Sequence, residues 1–326
     1  DRNTVARFSP LMASLPLLIS LMSATFQAQA NNQLPDIGTA GFAALPIEQE
    51  VRYGNAFMRF ARAGLPIIDD PVLSEYIDDL GQRLLTNADG VRFPFTFFLI
   101  NDPSINAAAF LGGRVKVHTG LFLYADNESE LASVLAHEIT HVTQRHIARY
   151  MEAQASSSAM TLAGLVGSIA LAVINPTAGI AALQTTLGLS MQSAINYTRD
   201  NEYEADRIGM KTLYDAGFDP MGMANFFQKL AAEYRYARKP PEMLLTHPLP
   251  ETRISEARAR AGSYGRRALP PSLDFWLAKV RIQVRYGTES PQALLTYFDS
   301  RLQKGDYPLK DAATYGKALA LLQLKR

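Results

Sequence analysis

His137-Glu138-Ile139-Thr140-His141 is the stretch on which the reading of this chain turns. Two histidines four residues apart lie about 40° apart around a helix, one turn along, so both rings can reach one metal ion. Glu138 is offset by roughly 100° from His137, near enough to take a proton from water activated at that metal. Neutral imidazoles suit zinc, and zinc beside a carboxylate is a hydrolytic arrangement. These five residues predict a metalloprotease with Glu138 as its general base.

Five residues alone recur by chance, so the surroundings count. Asn127-Glu128-Ser129-Glu130 offers a helix cap followed by acids at the positive end of the helix dipole. Leu131, Val134, Leu135, Ile139 and Val142 form an apolar stripe at helical spacing. No glycine or proline interrupts residues 128–153, so the helix is expected to continue through them. On it His146 falls about 180° around from His137 and points away from the metal, as a structural or surface residue.

A metal held by HExxH needs a third protein ligand. Val142, Thr143 and Gln144 do not continue as HExxHxxGxxH, which leaves an acid on a later helix. In Glu202-Tyr203-Glu204-Ala205-Asp206, Glu202 and Asp206 share a helix face and Glu204 is turned about 160° from both. Glu202 is the better ligand, and Asp206 can orient a ligating histidine from behind. The opposing reading has both acids solvating a charged helix surface. His247 sits in Leu244-Leu245-Thr246-His247-Pro248-Leu249-Pro250, a stiff loop. It either contacts the metal, binds substrate, or caps the helix starting near Glu251.

Composition narrows the class. The 326 residues suffice for one large domain with a smaller appendage. Cysteine is absent, which excludes disulfides, thiolate catalysis and zinc–cysteine sites. Residues 1–30 read as a secretory signal peptide: Arg2 and Arg7, then a short apolar run, then Ala28-Gln29-Ala30 as a cleavage site. Without its two arginines and one aspartate the remaining chain is formally neutral, which gives no case for nucleic acid.

Helices are expected over residues 46–63 and 71–87, and a strand over 95–100. Gly112-Gly113 precedes Arg114-Val115-Lys116-Val117-His118, whose alternation predicts a half-buried strand with His118 on its polar face. As a sheet edge near the active site it would pair with an extended substrate; otherwise it is an ordinary strand. Residues 153–198 carry no charged side chain and break at Asn175-Pro176. That hairpin is either buried or presents an apolar face to a membrane or partner. Residues 275–287, 292–305 and 312–324 read as further helices.

Ser133-Val134-Leu135-Ala136-His137-Glu138-Ile139-Thr140-His141-Val142, followed by Asn201-Glu202-Tyr203-Glu204-Ala205-Asp206-Arg207, resembles the zinc metallopeptidase family of HtpX and the CAAX prenyl proteases. Ile105-Asn106-Ala107-Ala108-Ala109-Phe110, with Gly112-Gly113 and Gly120-Leu121, resembles that family's strand beside the active site. Thr246-His247-Pro248-Leu249-Pro250-Glu251 and the export signal are similar to its periplasmic, β-barrel assembly-enhancing branch. The similarity covers most of residues 33–326.

The resemblance implies an α+β, mostly helical, gluzincin-like domain with a small sheet over residues 31–265. It implies one Zn2+ held by His137, His141 and Glu202, with Glu138 as base. His247 matches a loop histidine that takes the fourth zinc position and holds the enzyme latent. Arg114, Val115, Lys116, Val117 and His118 become the expected substrate-binding strand. The implied function is periplasmic quality control: degrading stalled outer-membrane β-barrel proteins and promoting their assembly. The implied partners are those proteins and the β-barrel assembly machinery, with residues 153–198 near the membrane. Residues 266–326 would begin a tetratricopeptide array; too few repeats are present for a stable stack, so the chain reads as a fragment. The alternative function is a chaperone or assembly scaffold with a latent or structural zinc. An intact Glu138 argues against it, because folding needs the ligands and not the base.

Overall fold

The structure, a computed structural model, describes residues 45–153, 159–175, 177–179, 181–182 and 191–325. The expected signal peptide lies outside the described residues.

Helix α1 (Ile47–Gly64) and helix α2 (Pro71–Leu85) come first. Asp70 caps α2 by accepting from the amides of Val72 and Leu73, and Pro71 occupies the first turn, where a missing N–H is harmless. Strands β1 (Thr96–Ile100), β2 (Ala107–Phe110) and β3 (Arg114–His118) follow. Gly112 and Gly113, at φ 71° and 69°, turn β2 back into β3 in a conformation that glycine adopts without steric cost.

The sheet order is β1-β3-β2, with β1 parallel and β2 antiparallel to β3. This corrects the expectation for residues 114–118. Both backbone edges of β3 are already paired, so it cannot receive a substrate strand. Nor is it half-buried, since Lys116 and His118 are 2% and 3% exposed. The cause is a sheet covered on both faces. Phe97, Leu99, Val115 and Val117 enter one core with α2 and helix α4 (Glu128–Thr143), while Phe98, Ile100, Ala108 and Phe110 enter a second with α1.

Helix α3 (Thr119–Tyr124) leads to α4, which Asn127 caps by accepting from the Glu130 amide at 3.0 Å. The expected continuous helix to residue 153 is broken. Arg145 takes a left-handed φ of 54°, and helix α5 (His146–Ala153) starts in a new direction. Helix α6 (Ala159–Ile174) buries Leu165, Val166 and Val173 in the second core and leaves Leu171 partly exposed. Much of the expected hairpin beyond it lies outside the described residues. No helix among the described residues is long and apolar enough to cross a membrane.

Helix α7 (Met191–Asp215) packs along α4. Gly209 permits this approach: a Cβ there would lie 3.2 Å from the backbone of Ala136 and His137. Helix α8 (Met221–Tyr236), short helix α9 (Glu242–Thr246) and helix α10 (Glu251–Tyr264) complete the shell around the motif. Helices α11 (Leu273–Tyr286), α12 (Pro291–Lys304) and α13 (Lys310–Gln323) follow, and the described residues fall in one compact unit. Helix α11 joins the parts: Phe275 and Ile282 enter the first core, while Val280 and Val284 pack with α12 and α13.

Candidate metal centre and active site

Helix α4 presents His137 and His141 on one face, and α7 brings Glu202 against them. Ligating atoms of His137, His141, Glu202 and His247 all lie within 4.8 Å of one another. The Nε2 atoms of the two α4 histidines are 3.0 Å apart, and the Glu202 oxygens lie 3.2 Å from each. His247, at the end of α9, places Nδ1 3.0 Å from Glu202 and 3.3 Å from His137 Nε2. Its Nε2 faces Glu138 Oε1 at 3.4 Å, so the ring is wedged between the cluster and the second carboxylate.

What stands behind these atoms decides what they can bind. His137 donates from Nδ1 to Asp206 Oδ1 at 3.0 Å, which leaves Nε2 as the nitrogen that faces the cluster. Arg253 braces Asp206 from α10 and also lies 2.9 Å from Glu202. Burial opposes ionisation of Glu202, but the charges of His247, Arg253 and His137 hold its carboxyl well below the ordinary value. Burial likewise opposes protonation of His137, yet Glu202 and Asp206 raise that ring to about 10, so without a bound cation Nε2 carries a proton that a cation would displace. Lone pairs and a carboxylate converging at this distance suit a cation. The donor set, three imidazoles and one carboxylate, suits zinc.

His146 does not point away. The break at Arg145 turns it back, so its Nδ1 lies 2.8 Å from His141 Nδ1 and its Nε2 3.1 Å from Glu204. Burial lowers this ring to about 2, so it is neutral. Glu204 is turned from the metal face as expected, but it is not a mere surface acid.

Glu138 is 1% exposed and held by its partners. Its Oε2 accepts the Ala109 amide of β2 at 3.0 Å, and Oε1 has no hydrogen-bond partner. A buried carboxylate oxygen that makes no hydrogen bond, faced by His247 beside a cluster of ligand-type atoms, is suited to take a proton from water once that ring moves. β2 is an outer strand and touches Glu138, so it is β2, not β3, that borders this carboxylate.

A model of peptidase family M48 matches residues 71–261, more than half of the chain, and spans the metal cluster and the sheet. The chain belongs to peptidase family M48. This M48 chain is 55% identical over 294 residues to the putative β-barrel assembly-enhancing protease of Vibrio cholerae serotype O1, covering 90% of the chain and 61% of that protein. It is 49% identical over 320 residues to the β-barrel assembly-enhancing protease of Yersinia pestis, covering 97% of the chain and 65% of that protein. With the protein of that name from Escherichia coli K12 it shares 47% identity over 299 residues, 92% of the chain and 61% of that protein. The M48 chain thus spans somewhat over three-fifths of the length of these relatives.

A polar chain beneath α9 also went unread in the sequence. Buried Lys116 donates to His118 Nε2 at 3.0 Å, and His118 Nδ1 donates to Ser104 Oγ at 2.8 Å. Ser104 in turn donates to Glu242 Oε2 at 3.3 Å, and Asn106 donates to the same oxygen at 3.2 Å. Burial pushes Lys116 down to about 8 and His118 down to about 4. Glu242 opens the helix that carries His247, so this chain ties the histidine loop to the sheet. Arg253 was equally invisible: an arginine in a helix first turn carries no signal that it will be buried.

Proposed function

We propose that the chain is the catalytic part of a periplasmic zinc endopeptidase that degrades misassembled or stalled outer-membrane β-barrel proteins and promotes their assembly. One observation carries the catalytic reading: Glu138 hangs by Oε2 from the β2 backbone, while Oε1 makes no hydrogen bond and faces only His247 Nε2, beside the four converging ligating atoms. The substrate class and the compartment rest on the relatives' names and on the export signal of residues 1–30. Unfolded outer-membrane proteins and the β-barrel assembly machinery are the proposed partners, with residues 153–198 as a peripheral membrane contact. Residues 266–326 are read as the start of a tetratricopeptide region.

His137, His141 and Glu202 would hold the metal, and His247 is placed to be a further ligand. Zinc held there supplies a Lewis acid that polarises a peptide carbonyl and makes water acidic enough to attack near neutral pH. Glu138 accepts the proton from the attacking water at Oε1 and delivers it to the departing amine. A substrate in extended form pairs along β2, the edge that Glu138 already touches. His247 fills the space between Glu202 and Glu138, so substrate entry requires its loop to move.

The test is degradation of an unfolded outer-membrane β-barrel protein by the zinc-loaded chain, with Glu138→Gln in parallel. Cleavage by the wild type alone is expected. Equal promotion of β-barrel assembly by both proteins, without cleavage by either, would move the reading to a chaperone or scaffold.

A further inference from the structure

The two α4 histidines are backed differently. His137 leans directly on a carboxylate, Asp206. His141 leans on another imidazole, at 2.8 Å between Nδ1 atoms, with the ring planes 81° apart. On a continuous helix residues five apart lie about 140° apart and cannot meet this way. The left-handed Arg145 makes the contact, and it is held there by a buried ion pair with Glu50 at 3.2 Å. Single non-glycine residues adopt this conformation rarely, and it persists only where the surroundings impose it.

The order of donors along this chain follows from its far end. Glu204 is a carboxylate already accepting from Arg149 at 2.7 Å, so it can only accept from His146 Nε2. The two Nδ1 atoms lie 2.8 Å apart, so one donates and the other accepts; with His146 giving its N–H to Glu204 from Nε2, His146 Nδ1 is the acceptor and His141 Nδ1–H the donor. That leaves the lone pair of His141 on Nε2, facing Glu202 and His137. With Asp206 doing the same for His137, both rings are fixed in the tautomer that binds a cation through Nε2.

We propose that His146 is a positioning residue for the metal centre, and that Glu204, braced by Arg149, sets through it which nitrogen of His141 faces the metal. This rests on the metal-binding reading of the site. It gives His146 a task that no ligand or base performs: it does not touch the metal or the substrate.

The experiment is metal affinity of the full chain, read by competition with a chromophoric chelator for Zn2+ and by the visible spectrum of the Co2+-loaded protein. His146→Leu keeps bulk and removes the acceptor. Its Zn2+ affinity should fall by about 10- to 100-fold, with an altered Co2+ spectrum. His146→Asn places an acceptor oxygen near the position of Nδ1 and should recover most of the loss. Glu204→Gln, at a partly exposed position that should tolerate the change, should weaken binding and perturb the same Co2+ bands while the metal-free protein melts as wild type does. Wild-type affinity and spectrum in both His146→Leu and Glu204→Gln would overturn the proposal. So would an Asn variant as weak as the Leu variant, because packing would then be the cause. A wild-type chain that binds neither metal would instead overturn the metal-centre reading itself. Failure to cleave protein with metal affinity intact leaves the proposal standing and counts only against the protease reading.

Discussion

Arg253 grips Asp206 with two hydrogen bonds, Nε to Oδ2 at 2.7 Å and Nη2 to Oδ1 at 2.8 Å, while only 2% exposed. Its Nη1 lies 2.9 Å from Glu202. One buried cation thus neutralises both a proposed metal ligand and the residue that orients another. Removing it strands two carboxylates in a dry interior. Arg253→Met should cost about 3–5 kcal/mol in denaturant melts of the metal-free protein, the range for breaking a buried ion pair. Arg253→Lys should recover little, because an ammonium cannot make the forked contact. Wild-type stability in the Met variant would show that the pair is dispensable.

Glu242 ties the His247 loop to the sheet through Ser104 and Asn106. If His247 blocks the site, loosening its tether should expose it. Glu242→Ala should raise the basal rate of cleavage of an unfolded polypeptide several-fold, towards the rate of His247→Ala. The double variant should be no faster than His247→Ala alone, since both changes release one element. A flat or lowered rate in Glu242→Ala would count against the tether.

Gly209 sets how closely α7 approaches α4, the helix of His137 and His141. Gly209→Val adds atoms where a Cβ already meets the Ala136 and His137 backbone at 3.2 Å. Backbone cannot swing aside as a side chain can. The variant should lose about 1–3 kcal/mol and lose metal affinity with it, because Glu202 rides on the displaced helix. Gly262→Ala is the control: a Cβ there meets nothing within 4 Å, so that variant should be as stable as wild type or slightly more so. Equal affinities in wild type and Gly209→Val would mean that α7 accommodates the change without moving Glu202.

Asp70 couples α2 to α11. It accepts from Arg281 at 2.8 Å and from Tyr286 at 3.3 Å, besides capping α2. Burial opposes its ionisation, but the bond and charge of Arg281 outweigh that and hold the carboxyl below its ordinary value. A carboxyl with a lowered folded-state pKa stabilises above its unfolded value of about 3.9, and that stabilisation is lost as pH falls through the folded value. Thermal melts from pH 6 to pH 3 should therefore show a declining midpoint, and Asp70→Asn should flatten part of the decline. An unchanged slope in Asp70→Asn would assign the acid sensitivity to other carboxylates.

The stretches legible in the sequence were those whose meaning is local. Capping by Asn127, the one-turn spacing of His137 and His141 and the shared face of Glu202 and Asp206 follow from helix geometry, which neighbours in sequence dictate. The strands over 96–100 and 114–118 were legible for the same reason. Their order was not: alternation along Arg114-Val115-Lys116-Val117-His118 describes a strand with one polar face, and only the pairing with β1 and β2 made it central and buried its lysine and histidine.

His146 shows the limit most clearly. Nothing in Gln144-Arg145-His146 announces a helix break. A buried glutamate almost a hundred positions earlier, Glu50, is what holds Arg145 in a left-handed turn. The sequence by itself determined which residue types could meet on each helix face, because the His137–His141 and Glu202–Asp206 spacings are short helical intervals. Only the tertiary structure decided how those residues are aimed, because Arg253, His146, Glu204 and Glu242 acquire their partners through packing between segments far apart in the chain.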